Sequence, residues 1–231
     1  MKSPDSLHRE GLDRLYPALT NPNWLVLGRR REIFRQWIDS IPGEHLKVLD
    51  VGGRIQPYLP LFKGRVAQYW AVDLIEDLLV NVVGRAEAIP FRTGVFDVVI
   101  CTQVLQYIEQ PQAMIAEIIR VMKPGGLLLL SAPAVFPRDS EADLWRFMPG
   151  SLQLLLKDFN SVRVLAEGSS VAGLFRVLAL YTFMFPRPAL LRKLLRITLI
   201  PILNLIGAAF ESLLTAGNDQ FSANFSVLAK K

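Results

Sequence analysis

Lys47-Val48-Leu49-Asp50-Val51-Gly52-Gly53 decides the fold, together with Tyr69-Trp70-Ala71-Val72-Asp73-Leu74 downstream. The first stretch reads as a short strand buried on both faces, because apolar and β-branched residues run into a glycine pair without polar alternation. Gly52 and Gly53 remove two side chains where the chain must turn sharply and let a ligand touch its backbone. Asp73 ends a second apolar strand, 21 residues beyond Gly52. A carboxylate at that point can accept hydrogen bonds from both hydroxyls of a ribose. The pattern describes a nucleoside-bearing cofactor lying across the carboxyl edge of a parallel sheet.

Outward from this stretch, strands alternate with helices. Residues 24–38 predict an amphipathic helix packed on the sheet, ended by Pro42-Gly43, with Arg29-Arg30-Arg31 as its solvated face. A short third strand is expected near Val80 to Val83 and a fourth at Phe96 to Cys101. Pro111 opens a helix through Met122, since a proline at the first helical position lacks a donor that would be unpaired anyway. Lys123-Pro124-Gly125-Gly126 stops that helix, and Leu127 to Ser131 makes a fifth strand. Ser161 to Ala166 and Asn224 to Ala229 predict two last strands. The expected fold is α/β, a Rossmann-like, doubly wound, mostly parallel sheet of seven strands with a helical apolar insertion between the last two. Residues 1–231 read as a single domain, its core about 24–170 plus the final strand 222–231, with 171–221 as the insertion.

Bulk composition narrows the function. At 51% hydrophobic and 20% charged residues, the chain can bury a sizeable core. The single Cys101 excludes an intrachain disulfide and reads as a buried small hydrophobe. His8 and His45 are the only histidines, so no metal site is expected. Met1 to Leu15 lacks the apolar run of a cleavable signal peptide, and a cytoplasmic location is expected.

The net charge of +5 is local. Residues 1–170 hold 19 basic and 19 acidic side chains, whereas 171–210 hold Arg176, Arg187, Arg192, Lys193 and Arg196 with no acid at all. Arginines interleaved with apolar runs suit an anionic membrane face rather than nucleic acid. The longest uncharged run there, Ile197 to Phe210, has 14 residues and falls short of the ~20 of a spanning helix. Helices lying in the interface plane are expected, on the inner face of a membrane; a buried subdomain or a homodimer face is the alternative.

Five segments in order then resemble one family: Val48-Leu49-Asp50-Val51-Gly52-Gly53, Ala71-Val72-Asp73, Ala86-Glu87-Ala88-Ile89-Pro90-Phe91, Phe96-Asp97-Val98-Val99 and Val121-Met122-Lys123-Pro124-Gly125-Gly126. They resemble class I S-adenosylmethionine-dependent methyltransferases of the type 11 branch, over roughly residues 24–166. Asp143-Leu144-Trp145-Arg146-Phe147 further resembles a segment of methyltransferases associated with cell-surface glycans.

The resemblance implies S-adenosylmethionine as cofactor. It implies that Asp50, Gly52 and Gly53 line the methionine end, that Asp73 holds the ribose and that Leu74 packs on the adenine. Arg85 and Ala86 would flank the adenine amino edge, and Thr102, Gln103 and Tyr107 would lie near the sulfonium and the acceptor. Three departures stand out. Arg54-Ile55-Gln56-Pro57 replace the further glycines of the first loop, and Arg54 is expected to pair with the cofactor carboxylate near a helix N-terminus. Arg85 has only donors where the family has an acid. The segment just before Asp143 has no histidine, where the resembling proteins often carry one.

Methyl transfer from a sulfonium needs alignment and exclusion of water, not a nucleophilic side chain or a metal. An oxygen acceptor would profit from a general base. Asp139, Glu141 and Asp143 are the candidates, with Tyr107 to orient the acceptor. Asp143 could instead pair with Arg146, three residues on. The expected acceptor is a small molecule, a lipid or a lipid-linked glycan. A nicotinamide-dependent oxidoreductase would need a third glycine that Arg54 to Pro57 do not supply. A non-catalytic, membrane-attached cofactor-binding scaffold is the remaining alternative.

Overall fold

The computed structural model describes residues 3–138, 140–184, 188–214 and 218–231. Asp139 and Arg187 lie outside the described residues. Seven strands, β1 (Leu46–Val51), β2 (Val66–Asp73), β3 (Val82–Val83), β4 (Phe96–Thr102), β5 (Met122–Pro133), β6 (Ser161–Ala166) and β7 (Asn224–Lys230), form one sheet in the order β3-β2-β1-β4-β5-β7-β6. All pairings are parallel except those of β7, which runs antiparallel to both β5 and β6. This is the mostly parallel Rossmann-like sheet expected from the alternation of apolar runs.

Both faces of the central strands are covered, which is why they carry no polar alternation. Val48, Val98, Ile100 and Leu129 point toward Ile33, Phe34, Trp37 and Ile38 of the helix α2 (Trp24–Asp39). Their neighbours Leu49, Val51, Val99, Cys101, Leu128 and Leu130 point the other way. There they meet Met114, Ile115 and Ile118 of α3 (Pro111–Val121), and Leu152 of α4 (Pro149–Leu155). Cys101 is buried there and free. The period of two in the strands thus splits one apolar run between two layers of helix.

Three local features depart from the sequence reading. A helix α1 (Pro4–Leu15) precedes α2; the Ser3 hydroxyl accepts from Ser6 N–H at 3.2 Å and Pro4 opens its first turn. Residues 122–126 join β5 rather than ending α3 with a separate turn. The third departure is Arg30, expected in a solvated run. It is 2% exposed, and its guanidinium pairs with Glu167 at 2.7 Å. Helical spacing places Arg30 one turn before the buried Ile33 and Phe34, on the inner stripe of α2.

Between β6 and β7 lie α5 (Ser170–Met184) and α6 (Ala189–Leu214), the expected insertion. Their pairing is tied by Glu211 of α6, whose carboxylate accepts from Ser169 N–H, Ser169 Oγ and Ala172 N–H around the N-terminus of α5. An anion suits that end of the helix dipole. On the inner stripe of α6, Ile200 and Asn204 are buried, and Asn204 Nδ2 donates to the carbonyls of Leu19 and Asn21. Pro201 sits inside the helix without ending it, so α6 runs 26 residues, longer than the apolar runs of the sequence predict. By length and composition α6 could cross a membrane, and most of it is exposed.

Candidate cofactor cleft and adjoining chamber

Chain order reverses between β1 and β4, and in an open parallel sheet the crevice at such a switch point is where ligands bind. Here it is a cleft of about 510 Å³. Its floor is made where β1 ends. Gly52 has φ +75, and a Cβ there would run into Val104 Cγ2 from the loop after β4. Only glycine satisfies both the turn and the close approach. The opposite wall is the end of β2, where the Asp73 carboxylate accepts from Ile75 N–H at 2.9 Å. Gln103, after β4, is held at φ 57 by bonds from its N–H to Ser131 O and from its Nε2 to Ser131 Oγ.

Gly52, Arg54, Asp73, Leu74, Ala86, Thr102, Gln103 and Tyr107 all line this cleft. Arg54 Nε stands 3.8 Å from Asp77 Oδ2. Asp50, Gly53 and Arg85 are not on its wall. Asp50 is 2% exposed and accepts from Tyr69 Oη at 2.6 Å. Burial pushes its carboxyl up to about 7, although the Tyr69 hydroxyl and Arg14 favour the charged form. Gly53 is needed for Asp50: a Cβ on it would lie 2.6 Å from Asp50 Cβ and Cγ. Arg85 turns outward and pairs with Glu87 at 2.9 Å.

Of the candidate bases, Glu141 and Asp143 do not line the cleft. Asp143 is held by Arg146 through both carboxylate oxygens, at 2.5 and 2.8 Å. Arg146 also donates to the carbonyls of Phe136 and Pro137, so the pair fixes the loop after β5. Glu141 is exposed.

A second chamber, of about 430 Å³, adjoins the cleft and shares Glu10, Arg14, Ile55, Gln103 and Tyr107 with it. Its remaining wall includes Asp13 of α1, Arg30 of α2 with Asn23 just before it, Arg176 of α5 and Asn224 of β7, together with Gln106 and Phe136 from the segments after β4 and β5. Sequence reasoning missed this chamber. For α1 a signal existed, a Ser3-Pro4 start with Leu7, Gly11 and Leu15 spaced along one face. Gly11 lies against Ile55 O so closely that a Cβ would collide, which seats α1 over the loop that follows Gly53. For Arg176, counted with the membrane-facing cations, no local signal existed; it is 2% exposed and points into the chamber.

The strand order with its antiparallel seventh strand, the glycine floor and the terminal Asp73 coincide with a match of residues 49–130 to a family model described as a methyltransferase domain. This is the fold of the class I S-adenosylmethionine-dependent methyltransferases. A Ruegeria ubiquinone/menaquinone biosynthesis C-methyltransferase, UbiE, is 33% identical over 91 residues, covering 37% of this chain and 36% of that protein. The chain thus spans about a third of the length of the first curated relatives it matches. Among solved structures, the Haemonchus contortus phosphoethanolamine N-methyltransferase 2 superposes with a TM-score of 0.56 at 16% identity, covering 96% of this chain and 60% of that one. The [4+2]-cyclase SpnF does so with 0.54 at 15%, covering 87% and 80%. These likenesses concern the methyltransferase fold, which a cyclase shares, so the reaction has to be argued from the site.

S-adenosylmethionine is the cofactor this methyltransferase fold implies, and the cleft suits its three parts. Asp73 offers acceptors for a ribose, Leu74, Ile75, Ala86 and Ile108 offer apolar surface for an adenine, and the Arg54 guanidinium offers donors for an amino-acid carboxylate, while the Gly52 N–H is already given to Val72 O at 2.8 Å.

Proposed function

We propose that this protein transfers a methyl group from S-adenosylmethionine in the cleft to an acceptor in the adjoining chamber. The observation that carries this reading is the shared wall of Glu10, Arg14, Ile55, Gln103 and Tyr107, across which donor and acceptor meet. Bound in the cleft, the cofactor supplies an electrophilic methyl on a positively charged sulfur with a neutral thioether as leaving group. The chain's own part is alignment and exclusion of water. Helix α1 covers the cleft, Asp73 fixes the ribose, and Gln103 is pinned to Ser131 at the boundary of the two cavities. Tyr107 orients the acceptor from the same boundary. For an oxygen acceptor, Glu10 is the carboxylate on the shared wall that takes the proton, whereas Asp143, paired with Arg146, lines neither cavity.

We further propose that the acceptor is a lipid or lipid-linked glycan and that the protein works at an anionic membrane face. Leu190, Leu194, Ile197, Ile202, Leu205 and Leu213 of α6 are all exposed, beside exposed Arg192, Lys193 and Arg196. Apolar burial with nearby cations, each worth ~1 kcal/mol at such a surface, supports reversible attachment. Arg176 links the two parts, since α5 of the insertion supplies it to the chamber. Transfer of tritiated methyl to fractionated lipids and glycans tests the reading. Labelled product in a lipid fraction is expected. Binding of the cofactor without product from any acceptor class would leave a cofactor-binding scaffold in its place.

A further inference from the structure

We propose that the chamber holds an anionic group of the acceptor, a phosphate or carboxylate with neighbouring hydroxyls, between the guanidinium groups of Arg176, Arg30 and Arg14. Calling this group the acceptor's rests on the methyl-transfer reading; the anion site itself stands on the chamber alone.

The deep part of the chamber has more buried positive charge than its carboxylate can neutralise. Arg30 and Arg176 are each 2% exposed, and one buried carboxylate, Glu167, stands near both. Glu167 is already taken: it binds Arg30 Nε and Nη2 and accepts from the hydroxyls of Ser131 and Ser226. Arg176 is left with neutral company. Its Nε donates to Asn23 Oδ1 at 2.7 Å, its Nη1 reaches Val135 O only at 3.4 Å, and its plane lies 4.3 Å over the Phe136 ring. The two wall carboxylates of α1 are less buried, Glu10 partly and Asp13 exposed.

An isolated buried cation is costly, so such groups are normally paired or bind a ligand. Burial, reinforced by the nearby Arg30 charge and opposed only by Glu167, pushes the Arg176 guanidinium down to about 9. The donors themselves are also waiting. Arg30 Nη1 and Arg14 Nε are buried and make no hydrogen bond. Guanidinium groups match the oxygens of phosphate and carboxylate in pairs.

Two orphans of the opposite polarity complete the description. Gln106 Oε1 and Asn224 Oδ1, in residues 5% and 2% exposed, are buried acceptors without a donor. They call for hydroxyl or amine hydrogens on the same ligand. A wholly apolar acceptor would leave four buried polar atoms unmet. A hydroxylated phosphate or carboxylate carries both kinds of partner, acceptors for the two guanidinium nitrogens and donors for the two amide oxygens.

The test is isothermal titration of the full chain, with and without S-adenosylhomocysteine, using glycerol 3-phosphate, glycerate, glycerol and monomeric dihexanoyl phosphatidylglycerol, whose headgroup carries free hydroxyls beside the phosphate. At least one of the anions is expected to bind and glycerol is not. Arg176→Met should weaken anion binding at least tenfold, Arg176→Lys less, with the affinity for S-adenosylhomocysteine unchanged. Tighter binding of the short-chain lipid than of glycerol 3-phosphate assigns a lipid headgroup, and the reverse assigns a soluble anion. If Arg176→Met does not fold, the contrast between glycerol 3-phosphate and glycerol on the wild type carries the test. Absence of binding by all three anions, or equal binding by Arg176→Met, overturns the proposal. Anion binding by a protein that ignores S-adenosylhomocysteine overturns the methyltransferase reading instead and leaves the anion site standing.

Discussion

Arg30 and Glu167 form a fully buried ion pair, 2.7 Å between Nη2 and Oε2, with side chains 2% and 0% exposed. It joins α2 to the turn after β6, 137 residues later in the chain. The two hydroxyls that Glu167 also engages, Ser131 and Ser226, lie on β5 and β7, so one carboxylate ties a helix to two strands. Glu167 holds Arg30 charged: burial works against the guanidinium's proton, but Glu167, aided by Tyr58, more than offsets it.

Breaking this pair from one side should cost stability heavily, because it strands a buried charge. Glu167→Leu or Arg30→Met is expected to lose about 3–5 kcal/mol. Arg30→Met combined with Glu167→Leu should lose less than the sum of the single changes. Urea denaturation of the four proteins measures the coupling. Additive losses would mean that the two groups act independently.

Asp73→Ala should weaken S-adenosylhomocysteine binding at least tenfold, while the melting temperature stays near that of the wild type. The carboxylate touches the fold mainly through its bond from Ile75 N–H, at the protein surface. Gly52→Val should abolish binding, since its side chain would meet Val104 at a backbone conformation that valine rarely adopts. Calorimetric titration reads both, and unimpaired binding by Asp73→Ala would falsify the assignment of the ribose wall.

Asp50 gives the fold a pH dependence of defined sign. Its carboxyl titrates near 7 when folded and near 3.8 when unfolded, so between these values the folded state binds a proton that the unfolded state does not. Stability from this group is full below about pH 4 and is lost as pH rises through about 7. Asp50→Asn keeps an acceptor for Tyr69 Oη and should remove this fall. The urea midpoints of wild type and variant, compared at pH 4 and pH 8, should converge at the lower pH and favour the variant at the higher one.

At the shared wall, Glu10→Gln should lower kcat by ~10²–10⁴-fold for an oxygen acceptor while cofactor affinity changes little. Tyr107→Phe should raise KM for the acceptor more than it lowers kcat. Steady-state methyl-transfer kinetics separate the two roles. An unchanged kcat in Glu10→Gln would point to an acceptor already deprotonated in solution.

Membrane attachment through α6 predicts flotation with anionic vesicles and weaker flotation with neutral ones. Arg192→Glu, Lys193→Glu and Arg196→Glu together should keep the protein at the bottom of the gradient, because these cations are exposed and free to meet headgroups. Indifference of the wild type to both vesicle types, together with dimerisation in sedimentation analysis, would assign the apolar face of α6 to a second copy.

The sequence by itself determined the sheet and the cofactor edge. Those features are local: a continuous apolar run specifies a strand covered on both faces, Gly52 specifies a turn no other residue makes, and Asp73 follows at the next strand end. Each can be read within a window of a few residues. Only the tertiary structure decided the chamber. Arg30 and Arg176 read as surface charges because exposure is the usual state of a basic residue. What overrules that expectation is, for Arg30, its pairing with Glu167, 137 residues away in sequence, and, for Arg176, the covering of the sheet edge by α1 and α5. Asp50 and Asp143 show the same limit from the other side, as carboxylates in promising positions whose partners, Tyr69 and Arg146, turn them toward structure. Burial and charge pairing arise from segments meeting in space, so they appear only once the chain has folded.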